Sequence, residues 1–157
     1  MNKFLRFSVL AILAIVCNAS FAQTVIWQED WSTATKDQTP TEVKPNYTFE
    51  NGGGTTKIYN EALAGGTAPE LLVAKNKGSF TANIVLNGAS GDMTLRFKTN
   101  KTIEITSGTA GVTLGELTKN GNDREITISV PSGTATLSLT FTSTTSSNAR
   151  LDDIKLF

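Results

Sequence analysis

Two carboxylate pairs stand near the ends of the chain: Glu29-Asp30 in TVIWQEDW (24–31) and Asp152-Asp153 in the closing NARLDDIKLF (148–157). Both lie among apolar neighbours, so both read as charged ends of strands. On strict alternation Asp152, Ile154 and Leu156 share one face, and Leu151, Asp153, Lys155 and Phe157 share the other. A carboxylate on an apolar face is costly to bury unless it is paired or bound to a cation. If the first and last strands are neighbours, Glu29 or Asp30 approaches Asp152 or Asp153, and like charges that close repel unless a cation lies between them. Oxygen donors select a hard cation. Calcium held by Glu29, Asp30, Asp152 and Asp153 is therefore the specific expectation, with loop carbonyls and Asn60 or Glu61 completing the shell. The plainer alternative leaves Asp153 in solvent and gives Asp152 backbone N–H donors, or Arg150 or Lys155, as partners. Both readings turn on which strands are neighbours.

Other reactive chemistry is scarce. The chain has no histidine and one cysteine, Cys17, so it lacks the usual base near neutral pH and the usual thiol nucleophile. Glu104, Glu116 and Glu125 sit on or beside stretches that alternate with polar residues, as a solvated face does, and no pair among them stands out as a two-carboxylate centre. A non-catalytic chain is expected. A sugar-binding surface needs flat rings for the C–H faces and amides or carboxylates for the hydroxyls. Trp31, Tyr47, Tyr59 and Asn60 are the candidates, with Asn46 and Glu61 nearby in sequence. The competing reading places Trp27 in a core, uses Trp31 to plug a sandwich end, and lets the tyrosines pin a long loop. Asn46-Tyr47-Thr48 also matches a glycosylation acceptor.

The first 22 residues carry a different message. Lys3 and Arg6 precede an apolar run from Phe7 to Cys17, and Ser20-Phe21-Ala22 offers small residues at a cleavage site. This is the layout of a secretory signal peptide (residues 1–22), too short in its apolar run to span a bilayer. The main competitor is lipidation at Cys17, although Val16 sits where a small residue is wanted. Cleavage after Ala22 leaves a domain of residues 23–157 with no cysteine and no transmembrane segment. Losing Lys3 and Arg6 turns 14 basic residues into 12 against 14 acidic, a net charge of −2. That balance offers no basic field for nucleic acid. An exported protein, in the periplasm, on the outer surface or outside the cell, is expected, with a glycan or a cell-surface component as partner.

Period-two patterns define the elements that must position these residues. Phe80, Ala82, Ile84 and Leu86 form one oily face; so do Met93, Leu95 and Phe97, then Ile126, Ile128 and Val130, then Leu137, Leu139 and Phe141. Turn signals separate them at short intervals, and Asn120-Gly121 suggests a two-residue hairpin with a type I′ turn. Nine or ten half-buried strands predict an all-β, antiparallel β-sandwich of jelly-roll type, with no helix beyond a short turn. Ser32–Gly66 reads as long connections with one or two short strands, around NYTFE and TKIYN.

With WQEDW at its start, GGTAPELLVA in the middle and NARLDDIKLF at its close, the chain resembles the jelly-roll, galactose-binding-like domains of secreted bacterial proteins, among them many carbohydrate-binding modules. The resemblance implies an acidic residue in the first strand, a proline just before a core strand (Ala68-Pro69-Glu70-Leu71), and a closing hydrophobic-Asp-Asp-Ile strand. It also implies a structural calcium between the chain ends, with Glu29 and Asp152 or Asp153 as ligands. Thr/Ser-rich stretches such as FTSTTSSNAR suit the alternative, a structural or adhesive cell-surface protein without a small-molecule ligand.

Overall fold

The structure is a computed structural model that describes residues 23–157. The expected signal segment, with Cys17, lies outside the described residues. The stretches of alternating residues become strands, and the strands form two antiparallel sheets. In chain order the elements are β1 (Trp27–Glu29), α1 (Pro40–Val43), β2 (Tyr47–Glu50), β3 (Lys57–Tyr59), β4 (Glu70–Val73), β5 (Ser79–Val85) and β6 (Gly91–Thr99). They continue with β7 (Ile103–Ser107), β8 (Thr113–Leu114), β9 (Thr118–Asn120), β10 (Asp123–Val130), β11 (Thr136–Ser143) and β12 (Ala149–Leu156). The larger sheet has the order β3-β4-β12-β6-β10-β8, with β1 also on β12 and β9 also on β10; the smaller has the order β2-β5-β11-β7. The result is an antiparallel β-sandwich, consistent with a jelly-roll-like fold. The strands beyond the expected nine or ten are accounted for by pieces as short as β8 and β9, and among the described residues the single helix is one four-residue turn.

The oily faces predicted from alternation meet between the sheets. Leu95, Phe97, Ile126, Ile128, Ile154 and Leu156 come from the larger sheet, and Phe80, Ala82, Ile84, Leu137, Leu139 and Phe141 from the smaller. Phe141 links the layers: it stacks on Phe80 at 5.9 Å and meets Phe97 edge-on at 5.5 Å between ring centroids. Burying each such side chain is worth about 1.5–3 kcal/mol, so the alternating residues supply most of the cohesion. Among the described residues no helix is long and apolar enough to cross a membrane.

Two local readings change. The hairpin around Asn120 is present, but Asn120 pairs with Asp123, so Gly121 and Asn122 are its central residues. Of these two only Gly121 has positive φ (58°), which suits glycine at the first position of a type II′ turn and not a type I′ turn. The second change concerns β12. Asp152 pairs with Lys98 and Lys155 with Arg96, so three steps on β12 match two on β6. The extra residue is a β-bulge, and Asp153 takes φ 48° within it. A bulge reverses the parity of everything beyond it. Leu151 faces the core before it; Ile154 and Leu156 face the core after it. Asp152 therefore lies opposite to Ile154 and Leu156, on the outer side of the sheet with its partner Lys98. This corrects the shared face expected from strict alternation.

The bulge also marks a change of neighbour. Ala149–Leu151 of β12 pair with β4, whereas Ile154–Leu156 pair with β1 through Glu29↔Ile154, Gln28↔Lys155 and Trp27↔Leu156. The two ends of the domain thus run side by side.

Candidate functional site

Glu29 is the core-facing acid of β1. Its exposure is only 3%, and its carboxylate is fully engaged. The Trp31 backbone N–H donates to Oε1 at 2.9 Å, while the Tyr47 hydroxyl and the Lys44 ammonium donate to Oε2 at 2.7 and 2.6 Å. The sequence places Lys44 for this role. Glu42 accepts from both the N–H and the hydroxyl of Thr39 at 2.6 and 2.8 Å, closing the start of α1, and the Lys44 N–H donates to the Pro40 carbonyl at its end. Burial, reinforced by the bond to Glu29, holds the Tyr47 hydroxyl far above its ordinary pKa, so it stays protonated and donates to Glu29. Asp30 turns away and accepts from the Ser32 N–H at 3.0 Å, and its hydrogen bonds to Ser32 lower its pKa.

Asp152 lies on the other face of the sheet under a different cover. The loop from Asn60 to Thr67 folds over it: the Thr67 N–H donates to Oδ2 at 3.1 Å, and Gly66 packs so closely that a Cβ there would collide with the carboxylate. Oδ1 is buried with no hydrogen-bond partner. Burial, with the neighbouring charges of Asp153 and Glu70 adding to it, pushes the Asp152 pKa up to about 7. Glu70, fully buried on β4, is also raised by burial; it accepts from the Ala64 N–H at 2.8 Å and faces Arg150 at 3.2 Å. Asp153 emerges from the bulge half-buried, with Lys98 at 3.7 Å.

The four acids therefore do not form one centre. Strand adjacency is as expected, but Glu29 points between the sheets and Asp152 away from them, and Lys44 and Lys98 are the cations beside Glu29 and Asp153. Among the described residues no three carboxylates converge as metal ligands would.

The aromatic candidates are also placed differently from a ligand platform. Trp31 and Tyr47 are completely buried. Trp31 packs edge-on against Tyr47 and Phe80, and its indole N–H donates to the Leu151 carbonyl at 3.1 Å. These two residues are a correction to the expected ligand set: they close the end of the sandwich. Tyr59 is half-buried under the Arg150 guanidinium, 4.4 Å from its ring centre, with Lys36 and Lys57 near the same ring. Asn60 is exposed at the start of the covering loop.

An open surface lies elsewhere, on the outer face of the larger sheet beyond the covering loop. Gln28, Lys155, Arg96, Glu125 and Thr118 are successive cross-strand partners over five strands. The next row holds Asp152, Lys98, Asp123 and Asn120. All of these except Gln28 and Asp152, together with Asp153 and Phe157, line a groove of about 490 Å³. Arg96 Nε donates to Glu125 at 2.6 Å, and the Arg96 guanidinium lies 5.2 Å from the centre of the Phe157 ring. Lys98 stands 3.7 Å from both Asp123 and Asp153 and donates to the Gly65 carbonyl at 3.3 Å, tying the floor to the covering loop. A second depression of about 560 Å³, bordered by Asn76, Lys77, Glu104, Thr142 and Thr144, carries no aromatic ring.

Sequence reasoning missed this groove. Its signal was the set of polar positions that alternate with the oily ones in LRFK, DRE and DIKLF, and those positions gain meaning only when three strands are brought into register. No family model matches this chain, and no curated protein or solved structure is significantly similar to it.

Proposed function

We propose that this chain is an exported, non-catalytic, saccharide-binding β-sandwich whose ligand lies along the open face of the larger sheet. The observation that carries the reading is the groove itself. Its floor combines guanidinium and ammonium donors with carboxylate acceptors and the Asn120 amide, and the Phe157 ring stands at its side. Sugar hydroxyls both donate and accept hydrogen bonds, so such a floor suits them. Export rests on the leader pattern of residues 1–22. The absence of catalysis is supported by the placement of the acids. Asp152, whose pKa is suited to proton transfer, is sealed under Gly66 and Thr67, while Glu125, Asp123 and Asp153 face cations in the groove.

A glycan-array screen of residues 23–157 tests the reading. A saccharide hit should weaken about tenfold on Glu125→Gln or Asp123→Asn, the loss of roughly one charge-assisted hydrogen bond, and should be unchanged on Tyr59→Ala. A blank array with a folded protein would leave the alternative, a structural or adhesive surface protein. The polar face of the smaller sheet, with Thr81 and Thr140 hydrogen-bonded at 2.8 Å, suits that alternative.

A further inference from the structure

We infer that the groove takes an acidic saccharide, whose carboxylate or sulfate group sits between Arg96 and Lys155. The inference rests on the saccharide reading above and deepens it.

The row that crosses the groove places two cations directly opposite one another: Lys155 on β12 is the cross-strand partner of Arg96 on β6. Like charges opposite each other in antiparallel strands destabilise the pairing. A single carboxylate, Glu125, accompanies them in the row, and it takes Arg96 through Nε. Lys155 has Gln28 on its other side, and among the described residues it makes no ion pair and no side-chain hydrogen bond. The terminal amino groups of Arg96 likewise have no acceptor among the described residues; the bond to Glu125 uses Nε alone. A planar fork with two vacant donor groups thus stands beside an unpaired ammonium, on the floor of a groove that also lines the Phe157 ring.

The next row shows the opposite balance. Lys98 lies between Asp123 and Asp153, at 3.7 Å from each. The groove is therefore polarised, with excess positive charge in the Arg96 row and excess negative charge one row away. A neutral glycan would leave the Arg96–Lys155 repulsion in place. An anionic substituent would relieve it, bonding the guanidinium fork in the geometry that suits carboxylates and sulfate oxygens. The adjoining Asp123 and Asn120 would then accept from or donate to the hydroxyls of the same ring or its neighbour.

Affinity of residues 23–157 is measured by calorimetry for polygalacturonate, its fully methyl-esterified form, dextran sulfate, dextran and polyacrylate. One of the two acidic polysaccharides should bind at least tenfold more tightly than its neutral counterpart, and which one does so identifies the acid as carboxylate or sulfate. That preference should shrink as salt is raised. Lys155→Met should cost about tenfold on the acidic form, roughly one charge-assisted hydrogen bond, with a melting temperature no lower than that of the unaltered chain; Lys155→Arg should restore most of the affinity. Neutral forms that bind as well as acidic ones would overturn the inference and leave the saccharide reading standing. Polyacrylate binding as tightly as the sugars would overturn it too, because charge alone would then suffice. Failure of every saccharide, here and on the array, with a folded protein, would remove both.

Discussion

Glu29 on β1 points into the sandwich and binds the Lys44 ammonium at 2.6 Å, whereas Asp152 on the adjacent β12 points out of the same sheet and is sealed beneath Gly66 and Thr67. The bulge at Asp153 sets this opposition, because one extra residue moves every later side chain to the other face. Two acidic positions that look like one metal centre in the sequence become two separate structural sites. One is an ion pair between the layers; the other is a buried carboxyl beneath a loop.

Removal of metal should therefore leave the fold unchanged. The melting temperature of residues 23–157 is expected to be the same in excess chelator as in millimolar calcium. A fall of more than about 4 °C in chelator, on the order of 1 kcal/mol for a domain of this size, would show that the lysines do not do a cation's work and that a metal does.

Asp152 should make the domain less stable as the solution becomes more alkaline. Its carboxyl ionises near 4 in the unfolded chain and at about 7 when folded, so between those values the native state holds a proton that the unfolded state has released. Its contribution is fully present below about pH 4 and is lost as pH rises through about 7, by about 4 kcal/mol at most. Glu70, also raised by burial, acts in the same direction. Urea denaturation at pH 5 and pH 8 should show a smaller decline for Asp152→Asn than for the unaltered chain, and the variant should be the more stable of the two at pH 8. Parallel pH profiles for the two proteins would contradict this.

Gly66 is expected to tolerate no side chain. A Cβ at this position would overlap Asp152 Oδ2, and Asp152 is itself fully buried and held by Thr67. Gly66→Ala should cost about 1–3 kcal/mol, as overpacking does, seen as a lower midpoint in denaturant. It should cost distinctly less in combination with Asp152→Ala, which opens the space; simple additivity in the double variant would show that the contact is not the cause.

The ion pair at Glu29 should resist removal of one partner. Tyr47→Phe removes one of three donors to a buried carboxylate and should cost about 1–2 kcal/mol. Lys44→Met should cost about the same, less than a fully buried pair because the lysine is 41% exposed. The two together should cost more than their sum, since the remaining Trp31 N–H would then stand alone against the charge. Additive losses would mean that Glu29 finds other partners or takes up a proton.

The amino-acid sequence by itself determined the sandwich, because period-two burial is a local property: Met93, Leu95 and Phe97 face one way whatever lies beside them. The short strands within Ser32–Gly66, at Tyr47–Glu50 and Lys57–Tyr59, were legible for the same reason, and the acidic residues of WQEDW and LDDI did mark adjoining strands. Tertiary structure decided the rest. Whether Asp152 faces the core or the loop depends on one unpaired residue in β12, which no alternating pattern reveals. Whether Trp31 and Tyr47 are platforms or core depends on what covers them. The groove exists only because Lys155, Arg96 and Glu125, far apart in the chain, are brought into one cross-strand row. Periodicity fixes which side of its own strand a residue occupies; neighbours across strands, and the charges they set against each other, arise only from register and folding.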